Sequence, residues 1–94
     1  MASSLLRHEQ VRTTFAKARE VARFADHVLS VAKRKDLVSY RWVGAEIPNR
    51  EVQRKIYDVL VPRYQTRAGG VTRVFRLGRR LGDGAEMAVL KLVS

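Results

Sequence analysis

The paired glycine Gly69-Gly70 divides the chain where its hydrophobic pattern changes. Before the glycines, apolar residues recur at the spacing of one helix face. After them, residues 71–77 are rich in β-branched and aromatic side chains, which favour a strand. A chain that changes from a helical to a strand-like period must combine both kinds of structure. The sequence therefore predicts the α+β fold class.

The N-terminal half begins with a short helix and a short strand. Residues 2–7 are expected to be helical, and Gln10–Thr14 alternates polar and apolar residues, as a strand does. Thr13 or Thr14 can then cap the longest helix of the chain. The core stripe of that helix is predicted at helical spacing and comprises Val21, Phe24, Ala25, Val28 and Ala32.

The stretch before the glycines predicts further helical structure. Residues 37–45 are expected to form a short helix or an irregular segment. Asn49 is the predicted N-cap of the next helix, with Glu51 in its first turn. Pro62 disfavours helical geometry at Val61, although a further short turn is possible. The predicted buried stripe of this helix comprises Val52, Ile56, Val59 and Leu60.

Two strands are predicted after the glycines, over residues 71–77 and 87–93. The glycine-containing basic loop between them suits an antiparallel hairpin. Together with Gln10–Thr14, these strands predict a small three-stranded mixed sheet packed against helices in two layers. We expect residues 1–94 to form a single domain, because a chain of this length has little room for a second.

Strand parity predicts which aromatic side chains are buried. Phe75 shares its parity with Val71 and Leu77, and all three are expected to point into the core. Tyr64 can stack on a base or pack under the end of its helix. Packing is the preferred interpretation.

Composition narrows the class of partner. The net charge is +10, and 14 of the 19 basic residues are arginine, which favours nucleic acid or an anionic membrane. The arginines are not confined to one amphipathic helix, which argues against membrane-surface binding. No run of about 18 apolar residues occurs, so no transmembrane helix is predicted. The absence of cysteine excludes disulfides, thiolate zinc sites and cysteine nucleophiles.

Six arginines lie in an acid-free stretch between Asp58 and Asp83. Arginine presents a planar fork of donors that suits phosphate groups, and adjacent glycines let the backbone approach a partner closely. Gly69-Gly70 can therefore lie against RNA, or can form a turn that requires a positive φ. A nucleotide-binding loop is not predicted, because here the glycines precede a strand and no Gly-Lys-Ser/Thr follows them. The arginines of this stretch are Arg63, Arg67, Arg73, Arg76, Arg79 and Arg80.

Catalysis has little support in the sequence. His8-Glu9 and Asp26-His27 are the only pairs that suggest acid–base chemistry, and neighbouring residues on a helix or strand point apart. Two histidines without further ligands at metal spacing do not define a zinc site. We predict a protein that is not an enzyme and needs no cofactor, metal or small-molecule substrate.

Two blocks of the sequence resemble a known family. Residues 62–73 read Pro-Arg-Tyr-x-x-Arg-Ala-Gly-Gly-x-Thr-Arg, and a basic turn, the run of residues 82–88 and a closing apolar strand follow. The second block is residues 5–20, Leu-Leu-Arg-His-Glu-Gln-Val-Arg-Thr-Thr-Phe-Ala-Lys-Ala-Arg-Glu. In this order the two blocks resemble the seventeenth protein of the bacterial-type large ribosomal subunit.

The resemblance implies a structural constituent of the large ribosomal subunit that binds and stabilises rRNA in support of translation. Its partners would be large-subunit rRNA and neighbouring ribosomal proteins, including the thirty-second of that subunit, near the region where nascent chains emerge. It also implies that Arg7 and His8 seat the N-terminal block on rRNA, with Arg12, Lys17 and Arg19 as weaker candidates of the same kind. The residues predicted to bind RNA are therefore Arg7, His8, Arg12, Lys17, Arg63, Arg67, Gly69, Gly70, Arg73, Arg76, Arg79 and Arg80.

Departures from the family pattern bear on the compartment. Family members usually carry a basic arm before the position matched by Met1, and residues 33–50 match the family loosely. Both departures favour a mitochondrial matrix ribosome, with the bacterial cytoplasm or a plastid as alternatives. The main rival function is a free-standing RNA-binding module in regulation or packaging. A small enzyme is the second rival, and it would need a pocket with convergent titratable groups.

Overall fold

The structure, a computed structural model, describes residues 1–67 and 70–93. Helices and strands alternate at the N-terminus, a helical region follows, and a hairpin ends the chain. The elements are α1 (Ala2–His8), β1 (Gln10–Thr14), α2 (Phe15–Ala32), α3 (Leu37–Glu46), α4 (Arg50–Lys55), a π-helical turn (Ile56–Leu60), α5 (Val61–Tyr64), β2 (Thr72–Arg79) and β3 (Glu86–Leu92). The α+β class is confirmed, and so are the predicted strand over Gln10–Thr14 and the helix at residues 37–45.

The sheet has the order β1-β3-β2, and β3 pairs antiparallel with both neighbours. The β2–β3 hairpin was predicted, but the prediction of a mixed sheet is wrong. Local sequence fixes the direction of a hairpin pair because a short turn reverses the chain. It does not fix the direction of β1, which pairs with β3 from the far end of the sequence.

One face of the sheet is buried under the helices. Helix α2 contacts all three strands, and Ala88, Leu90 and Leu92 of β3 point towards it and are buried. The register places Val11 and Val74 beside Leu90 on the same buried side. We call the opposite side the outer sheet face, which no described element covers. Its residues are Gln10, Arg12, Thr14, Arg73, Phe75, Leu77, Met87, Val89 and Lys91.

Phe75 and Leu77 correct the sequence prediction, because both lie on the outer sheet face and are about half exposed. Val71 is buried as expected, but it precedes β2. Its N–H donates to Asp26 Oδ1 (2.9 Å), and its carbonyl accepts from the N–H of Val93 (2.7 Å). Val71 is therefore buried because these hydrogen bonds anchor the loop before β2. Its burial does not indicate which residues within β2 face the core.

A β-bulge disturbs β2 near the hairpin turn. The pairing with β3 shifts between Arg76 and Gly78, so Leu77 has no partner of its own. Gly78 has a φ of 103°, which favours glycine at this position. The bulge places both Leu77 and Gly78 opposite Met87 and bends the strand beyond it.

Side-chain caps begin the helices where the sequence predicts them. Thr14 accepts a hydrogen bond from the N–H of Lys17 (3.4 Å) at the start of α2. Asn49 accepts from the N–H groups of Glu51 (2.9 Å) and Val52 (3.2 Å) at the start of α4. These bonds satisfy N–H groups that the first helical turn leaves unpaired.

The helix that starts at Arg50 continues past Pro62 through a π-helical turn. The N–H of Val61 donates to Ile56 O, five residues back, and not to Tyr57 O. The wider turn inserts one residue and accommodates Pro62, which has no N–H and whose ring would crowd a regular α-helix. Val59 consequently points outwards and is 42% exposed, while Val61 is buried. The prediction that Val59 belongs to the buried stripe is wrong.

The π-helical turn predicts that substitutions at two adjacent residues lower the free energy of unfolding by very different amounts. Leu60→Ala removes a fully buried side chain and should lower the free energy of unfolding by about 2–5 kcal/mol. Val59→Ala changes an exposed position and should cost about 0.5 kcal/mol or less. Urea denaturation of both variants measures the difference. A larger loss from Val59→Ala than from Leu60→Ala would contradict the turn.

Candidate RNA-binding surface

Glu9 joins the end of α1 to the helical region that carries Arg63. It caps α1 in the left-handed conformation (φ 64°), and its carboxylate accepts a hydrogen bond from Arg63. Lys55 Nζ lies 3.2 Å from the same carboxylate and donates to Arg7 O at 2.6 Å. The bond from Arg63, aided by Lys55, holds the pKa of Glu9 below its ordinary 4.5, and Glu9 raises the pKa of Arg63. The guanidinium of Arg63 is therefore engaged within the protein.

Arg7 and His8 form the exposed last turn of α1. Arg7 pairs with Glu51 in the first turn of α4, and both side chains remain open to solvent. An exposed pair of this kind contributes only about 0–1 kcal/mol, so a phosphate can displace Glu51 from Arg7 at little cost. The structure places Arg7 and His8 together, beside α4 and away from the hairpin turn.

Helix α2 holds the two described flanks of the predicted glycine loop. Lys33 Nζ donates to Arg67 O (2.6 Å), and Arg67 Nε donates to Gly70 O (2.9 Å). Asp26 accepts from the N–H of Val71 (2.9 Å) and from the hydroxyl of Thr72 (3.2 Å). The loop flanks are therefore fixed to one side of α2, with Arg67 exposed between them.

Gly70 lies close to Asp26 of α2. A Cβ at Gly70 would lie 3.4 Å from Asp26 Oδ2, which is an ordinary van der Waals contact. Contact with Asp26 alone therefore does not require a glycine at position 70. Positive φ values among the glycines are found at Gly78, Gly82 and Gly84, in and near the hairpin turn. Gly69 lies outside the described residues.

The arginines of β2 point to different faces of the sheet. Arg73 lies on the outer sheet face, opposite Lys91. Arg76 lies on the helix side, where its guanidinium stacks 4.2 Å from the Phe15 ring centroid and its Nε lies 3.5 Å from Glu86 Oε1. Arg76 is thus held by an aromatic ring and a carboxylate, whereas Arg73 projects into solvent.

The hairpin turn carries the last two predicted arginines. Arg80 Nε donates to Asp83 Oδ1 at 3.1 Å. This interaction raises the pKa of Arg80, and the bonds from Arg80 and from the N–H of Ala85 lower the pKa of Asp83. Arg79 forms no ion pair within residues 1–67 and 70–93, although Glu86 is its cross-strand partner, because Glu86 pairs with Arg76. Leu81, at the tip, is 98% exposed.

The structure brings one group of predicted residues together around the outer sheet face. Arg12 of β1 and Arg73 of β2 lie on opposite sides of β3. Arg12 also lines a shallow depression with Arg79 and Arg80, whose floor includes Leu77 and Met87. None of the outer sheet face residues is acidic. This group can therefore present several positive charges to one polyanion.

Lys17 lies apart from this group, in the exposed first turn of α2. The guanidinium carbon of Arg19, two residues further along α2, lies 5.9 Å from the centroid of the Phe15 ring on which Arg76 also stacks. The predicted residues therefore occupy several separate regions: the end of α1, the start of α2, the glycine-loop flank and the outer sheet face with its hairpin.

Sequence reasoning missed two residues that the structure makes important. Lys91 is the charged residue of an otherwise apolar part of β3, and strand parity places it on the outer sheet face with Val89. That signal was present in the sequence. Asp26 anchors the loop through Val71 and Thr72, 45 and 46 residues away, and no local pattern indicates this pairing.

Tyr64 packs under the end of its helix, which is the alternative that the sequence favoured over stacking on a base. The ring is buried, and its hydroxyl donates to Val93 O just after β3. Within the described residues, no cluster of His, Asp and Glu is arranged to hold a metal ion. None of the described helices has both the length and the apolar character that a membrane span needs.

A folded α+β core with a carboxylate-free cationic face is typical of nucleic-acid-binding proteins. The family model described as Ribosomal protein L17 matches residues 1–93. The chain therefore belongs to the ribosomal protein L17 family, and the resemblance found in its two sequence blocks is confirmed. The prediction of a protein that is not an enzyme is confirmed by this membership.

Curated relatives agree with the family model. The large ribosomal subunit protein bL17 of Trichlorobacter lovleyi is 44% identical over 93 residues, which cover 99% of this chain and 75% of the relative. The protein of the same name from Anaeromyxobacter sp. strain K is 47% identical over 93 residues, covering 99% of this chain and 59% of the relative. That of Endomicrobium trichonymphae is 38% identical over 94 residues, covering 100% of this chain and 80% of the relative.

The Glu9 ion pairs predict a specific loss of stability in acid. Because folding lowers the pKa of Glu9, its contribution is fully present above the unfolded value of 4.5 and is lost as the pH falls through the folded value. Glu9→Gln should therefore remove part of the decrease in stability between about pH 5 and pH 3. Denaturant unfolding at a series of pH values measures this. Glu46→Gln, at an exposed carboxylate with no cation partner in the described residues, is the control and should leave the profile unchanged.

Proposed function

We propose that this chain is a structural constituent of the large ribosomal subunit, in which residues 1–94 act as one rRNA-binding domain. The observation that carries the proposal is the family match, which runs from residue 1 to residue 93. The relatives are named as proteins of the large ribosomal subunit. The charge of +10 and the carboxylate-free outer sheet face agree with a partner made of phosphates.

The proposed mechanism is electrostatic and geometric. Cations on a folded core displace the counterions that surround closely packed rRNA phosphates, and the core fixes where those cations project. Arg12, Arg73 and Arg79 are the strongest phosphate ligands in this proposal, because no described carboxylate occupies them. Arg63 has a supporting role, since its bond to Glu9 positions the helix before the loop.

The remaining proposed contacts are Arg80 at the hairpin turn and four residues in separate regions, namely Arg7, His8, Lys17 and Arg67. Arg7 and Arg80 each have an exposed carboxylate partner that RNA can replace. Gly69 and Gly70 would let the backbone near Arg67 approach a phosphate, and Arg76 would contact RNA beside Phe15 on the helix side of the sheet.

Neighbouring large-subunit proteins remain part of the proposal. Exposed apolar side chains away from the outer sheet face support a protein neighbour. They include Leu37 and Val38, which are adjacent at the start of α3. The thirty-second protein of the subunit stays a prediction that rests on the family resemblance.

We also propose a mitochondrial ribosome, on the departure of residues 33–50 from the family pattern. The relatives named above are bacterial, so the compartment stays a prediction.

The phosphate-ligand assignment predicts a change in salt dependence. Replacing Arg12, Arg73 and Arg79 together with glutamine should reduce the slope of log affinity against log salt by about 2–3, since each lost phosphate contact is worth roughly 0.7–0.9. Filter binding of the purified variant to bacterial large-subunit rRNA measures the slope. Replacing the exposed Arg41, Arg50 and Arg54 removes the same charge from α3 and α4 and is the matched control. Equal losses in both variants would mean that binding follows net charge and not this surface.

Sedimentation tests the proposed place in the ribosome. The tagged protein, expressed in its own cells, should co-migrate with the large subunit in gradients at low and at high salt. Gradients from separated organelles and cytosol then identify the compartment of those ribosomes. Release into light fractions at moderate salt would favour a free-standing RNA-binding protein instead.

A further inference from the structure

The outer sheet face has an aromatic residue, Phe75, that the fold leaves half exposed. Phe75 is 48% exposed, although phenylalanine is one of the residue types most often buried in a core. Its cross-strand partner is Val89, and Leu77 and Met87 extend the apolar surface towards the hairpin turn. The result is an exposed apolar strip on a sheet face that no described element covers.

Cations surround this strip. Lys91 Nζ lies 5.7 Å from the centroid of the Phe75 ring, and Arg73 is the cross-strand partner of Lys91. On the other side, Arg12 is the partner of Val89, which puts Arg12 and Phe75 in one row across the sheet. Two strand spacings separate them, or about 10 Å. A ligand that covers Phe75 therefore meets positive charge on both sides.

We infer that Phe75 is a stacking platform for an unpaired rRNA base, with Arg12, Arg73 and Lys91 holding the phosphates on either side of that nucleotide. This inference rests on the proposed function and specifies the kind of RNA involved. An exposed aromatic ring can bind the flat face of a base that has left its helix, and base–aromatic stacking tolerates any base. The adjacent depression, lined by Arg12, Leu77 and Arg79, leaves room for the chain to continue towards the hairpin.

Charge and shape favour unpaired RNA over the other occupants. A regular duplex keeps its bases stacked on each other and presents its backbone, which would leave Phe75 without a partner. A protein neighbour would have to supply an acidic group for each cation as well as an apolar surface for Phe75. A single-stranded RNA segment brings base faces and phosphates together in one ligand.

Substitutions at Phe75 separate stacking from general electrostatics. Phe75→Leu keeps an apolar side chain at an exposed site and should weaken binding of a single-stranded 12-nucleotide RNA by at least about fivefold. Affinity for a duplex of the same length should be unchanged, and Phe75→Tyr should bind the single strand like the unmodified protein. Tyr40→Leu removes a similarly exposed ring (46%) from α3 and should have no effect. Circular dichroism verifies the fold of each variant.

Equal weakening of single strand and duplex by Phe75→Leu, or no weakening of either, would overturn the inference. So would a Tyr40→Leu variant that behaves like Phe75→Leu, because the site would then be unspecific.

A photoreactive side chain tests the same contact in the assembled ribosome. With p-benzoylphenylalanine in place of Phe75, irradiation of isolated large subunits should link position 75 to a nucleotide in an unpaired rRNA segment. A link only to a ribosomal protein or to paired rRNA, or no link at all, would overturn the inference and leave the ribosomal function intact. Absence of the protein from the subunit would instead overturn the proposed function.

Discussion

The structure depends on covering only one face of a three-stranded sheet. The chain is short, and its longest helix, α2, lies across all three strands and contributes Ala25 and Val28 to the core. Leu90 of the central strand lies in that core, and its cross-strand partners Val11 and Val74 join both edge strands to it. Because strand residues alternate in direction, burying one face commits every second residue of each strand to solvent. The exposed positions of Arg12, Arg73, Phe75 and Lys91 follow from this commitment.

The same chain uses arginine for two different purposes. Arg63 binds Glu9 and Arg76 stacks on Phe15, so both contribute to holding elements of the fold together. Arg73 has no such partner in the described structure, although all three come from one acid-free stretch of sequence. A high density of arginine therefore does not by itself identify the residues that contact RNA. The fold determines which arginines remain available, because some lie next to a carboxylate or an aromatic ring of the protein and others do not.

Features controlled by near neighbours were predictable. The caps at Thr14 and Asn49, the strand over Gln10–Thr14 and the β2–β3 hairpin each depend on residues within a few positions of each other. The family resemblance was equally accessible, since it rests on ordered blocks of residues. The core of the longest helix was predicted in part: Ala25, Val28 and Ala32 are buried, and Val21 and Phe24 pack at its margin.

Features controlled by distant partners or by unusual backbone geometry were not predictable. Val59 turns outwards because a π-helical turn shifts the helix by one residue before Pro62. Phe75 faces solvent because Val71 is anchored by Asp26 and does not set the parity of β2. The engagement of Arg63 depends on Glu9, 54 residues away. The antiparallel β1–β3 pair likewise joins the two ends of the chain.

The bulge at Leu77 has a consequence for the protein before it reaches its ribosome. β2 is an edge strand, and a long straight edge would offer its unpaired backbone groups to a strand from another molecule. The bulge bends β2, while Arg73, Arg76 and Arg79 repeat positive charge along the same strand. Two copies that approached edge to edge would meet with bent strands and like charges. A newly made chain with an uncovered aromatic strip is in this way protected from self-association while it awaits RNA.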